Sequence, residues 1–409
     1  MPIAHVYPGI FLIALLMAAG HVLARRSRFY GELVAPRSNA RYEALDGMRG
    51  FLAVAVLIHH GMSAYMRITT GEWVTDYPIY KLFGTTSVAL FFMITAFLFW
   101  GKMLKDGEHF DVRTFIRGRI TRLAPMYLTL ATIAAFITLY SLWPKHIPVS
   151  RLGGAMFTIY SMGICKWEVV HGFDTGLISA GVTWTLRYEW IFYGVLPLMV
   201  VLRKPRWVSI MLVAYLLYFV FTTRGWMHKP LGVSLNLLGG MIVAQIQHAG
   251  ALSRINWRSR WMSIAGLLCL AAMPVVLDRN VPILLFPLTL AFFLMVVKGN
   301  TFFGVLTATG PKAIGTISYS VYLLHGLVLY LATPLLANLS GPESAALYWL
   351  ALSGVGLVAV AISAVTYRWI EHPFIEMERE RRQAGVPAMQ ITPIYAWPNH
   401  VPVTRRLAA

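Results

Sequence analysis

Apolar runs long enough to cross a bilayer recur from one end of this 409-residue chain to the other. They fall at about 7–24, 47–65, 84–101, 119–142, 182–202, 207–223, 231–248, 261–278, 281–297, 314–337 and 347–369. Inside hydrocarbon each such run must satisfy its own backbone, and a helix does so within one segment. The pattern therefore predicts an all-α fold, a polytopic membrane helix bundle of about 10–11 transmembrane helices. With 57% hydrophobic and only 13% charged residues, the chain has too little charge to coat a soluble body of this size. A shorter run at 152–165 reads as a re-entrant or interfacial element. Cys165 and Cys269 are the whole cysteine complement, and Cys269 lies in an apolar run, which argues against a disulfide framework.

The net charge of +18 invites a nucleic-acid reading. The loops give a simpler account. Lys and Arg divide 26 to 9 between alternate connections, the rich side being 25–49, 102–122, 203–206, 254–260, 298–312 and everything from Arg368 onward. The positive-inside rule then places the N-terminus outside and the C-terminus in the cytoplasm, with no nucleic acid as partner. The first run has its basic cluster, Arg25, Arg26 and Arg28, after the apolar stretch, as a signal-anchor helix does and a cleaved leader does not. After Glu371 the chain reads as a charged helix and then as a cytoplasmic tail punctuated by prolines.

Polar groups inside these runs carry the chemistry. In 45-LDGMRGFLAVAVLIHHGMSAY-65 a helix brings Arg49 and His60 to within about 20° of each other, about 16 Å apart along the axis. His59 is turned away from that face, and Asp46 is placed to cap the helix and pair with Arg49. A cation at the water edge in line with a base inside the membrane suits a ligand with an anionic end and a reactive end. An interfacial anchor and a structural histidine suit it equally. Arg119 and Arg122 share one face in 115-FIRGRITRLAPMY-127, either as positive-inside anchors or as a phosphate site. Glu189 in 184-WTLRYEWIFYGVLPL-198 needs a partner from another span, since Arg187 is too close in sequence to face it. His325 closes 315-GTISYSVYLLH-325 with Ser318 and Tyr322 on nearly the same face, a pattern that fits a satisfied structural histidine as well as a functional one. In 367-YRWIEHPF-374, Pro373 is expected to stop the last helix. The intramembrane histidines His59, His60 and His325 have no carboxylate at i,i+3 or i,i+4, the spacing of metal ligands on a helix.

Taken in order, these motifs resemble the acyltransferase 3 family of bacterial membrane acyltransferases, many of which O-acylate surface polysaccharides. The resemblance runs from about residue 41 to 374. It passes through RYEALDGMRG with a His eleven after the Arg, LFFMITAF, FIRGRITRLAPMY, the segment opening at Trp184, GTISYSVYLLH and YRWIEHPF. It implies a functional Arg49–His60 pair, paired arginines at Arg119 and Arg122, and an intramembrane acid at Glu189. It also implies a bacterial inner-membrane location, acyl-CoA (acetyl-CoA above all) as donor, and a glycan, glycolipid or other hydroxyl as acceptor. His60 is then expected to act as general base with Glu189 beside it. The chain departs from relatives at Ala89, where an acid is frequent, and at Thr95, Ala96 and Phe97, where Ser-Gly-Phe is frequent. Both departures are expected to bear on the acceptor. The organisation implied is an extra helix and basic loop over 1–40, the acyltransferase domain over 41–374 and a tail over 375–409. A proton-coupled transporter or flippase with His60, Glu189 and His325 as a relay is the rival reading, and a membrane scaffold without catalysis is a third.

Overall fold

The computed structural model describes residues 7–35, 42–75, 77–143, 148–197, 229–278, 284–340 and 345–384, with residues 207, 210, 211 and 214. Most of the expected span at 207–223, the end of that at 182–202, and the tail beyond 384 lie outside these residues. The described chain is almost wholly helical. Its helices are α1 (Tyr7–Arg26), α2 (Arg28–Val34), α3 (Glu43–Thr70), α4 (Pro78–Asp106), α5 (Val112–Leu142), α6 (Val149–Tyr160) and α7 (Trp184–Val195). They continue with α8 (Lys229–His248), α9 (Arg260–Asp278), α10 (Leu285–Val297), α11 (Thr309–Thr316), α12 (Ser318–Asn338), α13 (Ala345–Thr366) and α14 (His372–Gln383). Among the described residues 7 helical segments are long and apolar enough to cross a membrane, and this is a polytopic helical membrane bundle. The other expected runs behave differently. α10 is apolar but has only 13 residues, and the short run after 150 forms α6, of 12 residues.

Local chemistry sets the boundaries. Asp111 caps α5 by accepting from the backbone N–H groups of Arg113 and Thr114, and bonds from Thr114 hold its carboxyl below the ordinary carboxylate range. α4 opens on Pro78, whose missing N–H is not needed in a first turn. α3 begins at Glu43, so Asp46 lies inside the first turn and does not cap the helix as expected. It ends where Gly71, at φ +83°, returns its N–H to the Arg67 carbonyl.

Two more expectations give way to tertiary demands. The run at 314–337 is not one helix: Ile317, at φ −95° and ψ 10°, separates α11 from α12. Pro373 does not end the last span. Tyr367–Glu371 forms a π-helical turn in which the His372 N–H reaches the Tyr367 carbonyl, five residues back. Pro373 then falls in the first turn of α14, and the helix runs on to Gln383.

α3 is the central strut, packed on α4, α11 and α12. It approaches α11 backbone to backbone. A Cβ at Gly315 would stand 1.8 Å from the Asp46 carbonyl oxygen, and one at Gly47 would stand 1.8 Å from that of Leu306. Only small residues permit such contact, which stands in for the weak hydrophobic drive between helices in lipid. It fixes the height of Arg49 against the break at Ile317. Gly47→Ala must push the helices apart, at a cost of about 1–3 kcal/mol by overpacking. Its apparent melting temperature in detergent should fall by several degrees, whereas Gly354→Ala, with nothing within 4 Å of the new Cβ, should leave it unchanged or raised.

Candidate active site

A cavity of about 530 Å³ draws its walls from α3, α4, α5, α7 and α12. Seven of the residues singled out from sequence line it: Asp46, Arg49, Arg119, Arg122, Glu189, Ser318 and Tyr322. The unbroken α3 holds Arg49, and successive turns of α5 hold the other two arginines.

The three arginines are not equivalent. Arg122 Nη1 lies 3.0 Å from Glu371 Oε1, and that carboxylate is fully buried in the π-helical turn. Ser320 Oγ donates to its other oxygen at 2.9 Å. The charge of Arg122 is therefore already matched inside the protein. Arg49 and Arg119 differ: among the described residues the Nε of each is buried without a hydrogen-bond partner. The guanidinium of Arg119 lies over the ring of Phe99, its carbon 4.4 Å from the centroid. Buried donors in native proteins are nearly always satisfied, so two in one cavity mark a place for an acceptor-rich ligand. Glu189 lines the same cavity and accepts a 2.7 Å hydrogen bond from Tyr193, one turn along its own helix. That hydrogen bond comes from α7 itself, while Arg119 and Arg49, charged groups that act on Glu189, stand on other spans as expected.

His60 does not line this cavity. Its Nδ1 lies 2.9 Å from Nε2 of His325, with the rings nearly parallel and their centroids 5.1 Å apart. His59 is turned aside, as its angle predicts, and its Nδ1 donates to the Tyr80 carbonyl at 2.8 Å. Between the cavity and the imidazole pair stands Tyr322, which touches Thr185 Oγ1 at 3.1 Å and packs edge-on against Phe91. On its other side the pair meets Trp73, whose ring is inclined by 21° to that of His60. Trp73 belongs to a second cavity of about 440 Å³, lined also by Arg67, Leu177, Gly326, Tyr330 and Thr333. One continuous groove from Arg49 to His60, as their shared face suggested, is thus interrupted at Tyr322. Trp184 lines neither cavity and packs against Tyr188 and Phe92.

Among the described residues no group of three or more His, Cys, Asp or Glu is arranged to hold a metal. The residues that sequence reasoning passed over are Glu371, Tyr193, Thr185 and Trp73. Glu371 had a signal: an acid in a span-closing motif, with paired arginines elsewhere in need of a counter-charge.

A family model described as an acyltransferase domain matches residues 42–368, from just before α3 into the π-helical turn. The chain belongs to the acyltransferase 3 family. It is a multi-pass membrane acyltransferase, and the cavities described above are those of such an enzyme. Searches of curated proteins and of solved structures return no match. The matched span leaves α1 and α2 of this acyltransferase outside the family domain at one end and α14 at the other.

The Arg122–Glu371 pair makes a sharp prediction. Glu371→Leu alone strands a buried guanidinium and should cost about 3–5 kcal/mol, seen as a large fall in melting temperature. Arg122→Met added to it should recover most of that loss. A double mutant no more stable than Glu371→Leu would show that the two charges do not depend on each other.

Proposed function

We propose that this acyltransferase moves an acyl group, acetyl in the first instance, from cytoplasmic acyl-CoA to a hydroxyl of a glycan or glycolipid on the far side of a bacterial inner membrane. The observation that carries the reading is the pair of buried, unpartnered Nε donors of Arg49 and Arg119 in a single cavity. Planar guanidinium groups suit phosphate oxygens, and coenzyme A is a phosphate-rich head on a long arm ending in a thioester. Arg122 is committed to Glu371, so phosphate binding falls chiefly to Arg49 and Arg119. The excess of Lys and Arg on the same side of the chain supports a cytoplasmic position for this cavity.

The arm then extends toward His60, passing the contact between Tyr322 and Thr185, which has to part for the acyl group to go by. The acceptor approaches from the cavity lined by Arg67 and Trp73. Its hydroxyl oxygen attacks the thioester carbonyl while His60 removes the hydroxyl proton. As the tetrahedral intermediate collapses, the carbon–sulfur bond breaks and the imidazolium returns the proton to the leaving thiolate. Ester and free CoA are the products. General base catalysis of this kind contributes roughly 10²–10⁴-fold in rate. Glu189, held by Tyr193, orients polar groups at the donor end and acts as a fixed negative charge between Arg49 and Arg119.

Two measurements test the proposal. CoA should raise the melting temperature of the wild type, and Arg49→Ala with Arg119→Ala should abolish that shift. In phospholipid vesicles supplied with an extract of cell-surface glycans and glycolipids, the protein should release CoA from acetyl-CoA. His60→Ala should lower that turnover by roughly 10²–10⁴-fold while keeping the CoA-induced stabilisation. Full turnover in His60→Ala would remove the base assignment, and failure of CoA either to bind or to turn over would return the transporter reading.

A further inference from the structure

The hydrogen bonds around the imidazole pair have a direction that follows from one fixed acceptor. His325 Nδ1 lies 3.0 Å from the carbonyl oxygen of Val321, one turn back on α12. A carbonyl only accepts, so His325 Nδ1 carries the hydrogen. His325 is fully buried, and the rings recorded against it are those of His60 and Tyr322. An imidazolium in such surroundings, with no carboxylate to meet it, would be costly, so the ring is neutral. A neutral imidazole has a single N–H, which leaves a lone pair on His325 Nε2. That atom lies 2.9 Å from His60 Nδ1, and His60 Nδ1 must then be the donor.

We infer that His325 is a positioning residue that holds His60 in its Nδ1–H tautomer and leaves His60 Nε2 as the basic nitrogen. The inference rests on the reading of His60 as general base and specifies which of its atoms acts. When Nε2 takes the acceptor's proton, Nδ1–H continues to donate to His325, now from a cation, and the bond strengthens without rearrangement. The proton travels no further. The other nitrogen of His325 already faces a carbonyl that does not take one up, so the pair holds a proton and gives it back. A transmembrane relay needs the opposite. The groups against His60 that titrate are His59 and His325; the Val56 carbonyl, one turn back, also reaches its ring and favours the same N–H, and Trp73 stacks against it with centroids 6.1 Å apart. The height of His325 is set by its neighbour: a Cβ at Gly326 would stand 2.2 Å from the Ser179 backbone carbon, so α12 is pressed directly onto that loop.

The test uses full-length protein in phospholipid vesicles, labelled with ¹⁵N-histidine and read by solid-state NMR at neutral pH. The signals lost in His60→Ala identify His60. They should show a protonated Nδ1 and a bare Nε2, the less common tautomer of a free imidazole. In His325→Leu the same ring should move toward the Nε2–H form, and kcat for CoA release from acetyl-CoA should fall by about 10² or more. The CoA-induced thermal shift should persist. In His325→Gln an amide oxygen stands where Nε2 accepted, so the tautomer should return and kcat should recover to within about tenfold of wild type. A wild-type His60 protonated at Nε2, or a His325→Leu enzyme with unchanged tautomer and kcat, would overturn the inference. Full turnover in His60→Ala is a separate result, which defeats the base reading and leaves the tautomer measurement standing.

Discussion

Most polar groups buried in this bundle are held by other protein groups, and the pair that the rest depends on is Arg122 with Glu371. The carboxylate is wholly buried, takes one oxygen to the arginine and receives Ser320 on the other. Three elements meet there: α5, α12 and the π-helical turn after α13. Withdrawing two charges from water costs several kcal/mol each, so the pair contributes little net stability. What it contributes is registry, because any slip among the three elements would strand a charge. The widened turn at Tyr367–Glu371 is how the backbone carries Glu371 inward and still continues as a helix.

With Arg122 neutralised internally, the two remaining arginines define the character of the cavity. Arg49 stands on a helix fixed by glycine contacts to α11, and Arg119 lies over Phe99. Both present a side that nothing in the protein satisfies. The imidazole pair is separated from them by Tyr322 and Thr185 and flanked on its other side by Trp73. Tyr322 and Thr185 thus stand at the edge of the arginine cavity toward the imidazole pair, and Trp73 links that pair to the second cavity.

Much of this was legible in the chain. The apolar runs specify a helical membrane bundle, and the ordered motifs specify the family. The shared face of Asp46 and Arg49, the pairing of Arg119 with Arg122, and the turning away of His59 all follow from helical angle alone. What sequence spacing could not supply is contact between distant segments. His60 and His325 are 265 residues apart, and neither motif points to the other. Pro373 reads as a helix stop because the local rule knows nothing of Glu371, whose need to face Arg122 opens the turn that accommodates the proline. Asp46 reads as a cap because Asp favours that position and the apolar run begins after it, yet 43-EAL-45 are good helix formers and the helix has already begun at Glu43.

The departures at Ala89 and Thr95 take on a different meaning once placed. They were expected to touch the acceptor, yet Thr95 lines the cavity that holds Arg49, and Ala89 is buried and lines neither cavity. Thr95 keeps the hydroxyl of a serine and adds a methyl to the wall that the arginines share. Further walls of that cavity come from outside the family domain: Leu33 of α2 and Ile375 of α14 both reach it. α2 is tied down by Tyr30, whose hydroxyl donates to the Ala364 carbonyl at 2.5 Å, and α1 buries Leu12 and Leu16 completely. The N-terminal helices are therefore built into the bundle, and through Leu33 they contribute to the wall of the arginine cavity. The cavity that holds the arginines thus takes walls from beyond both limits of the family domain, while the imidazole pair lies on helices that the domain contains.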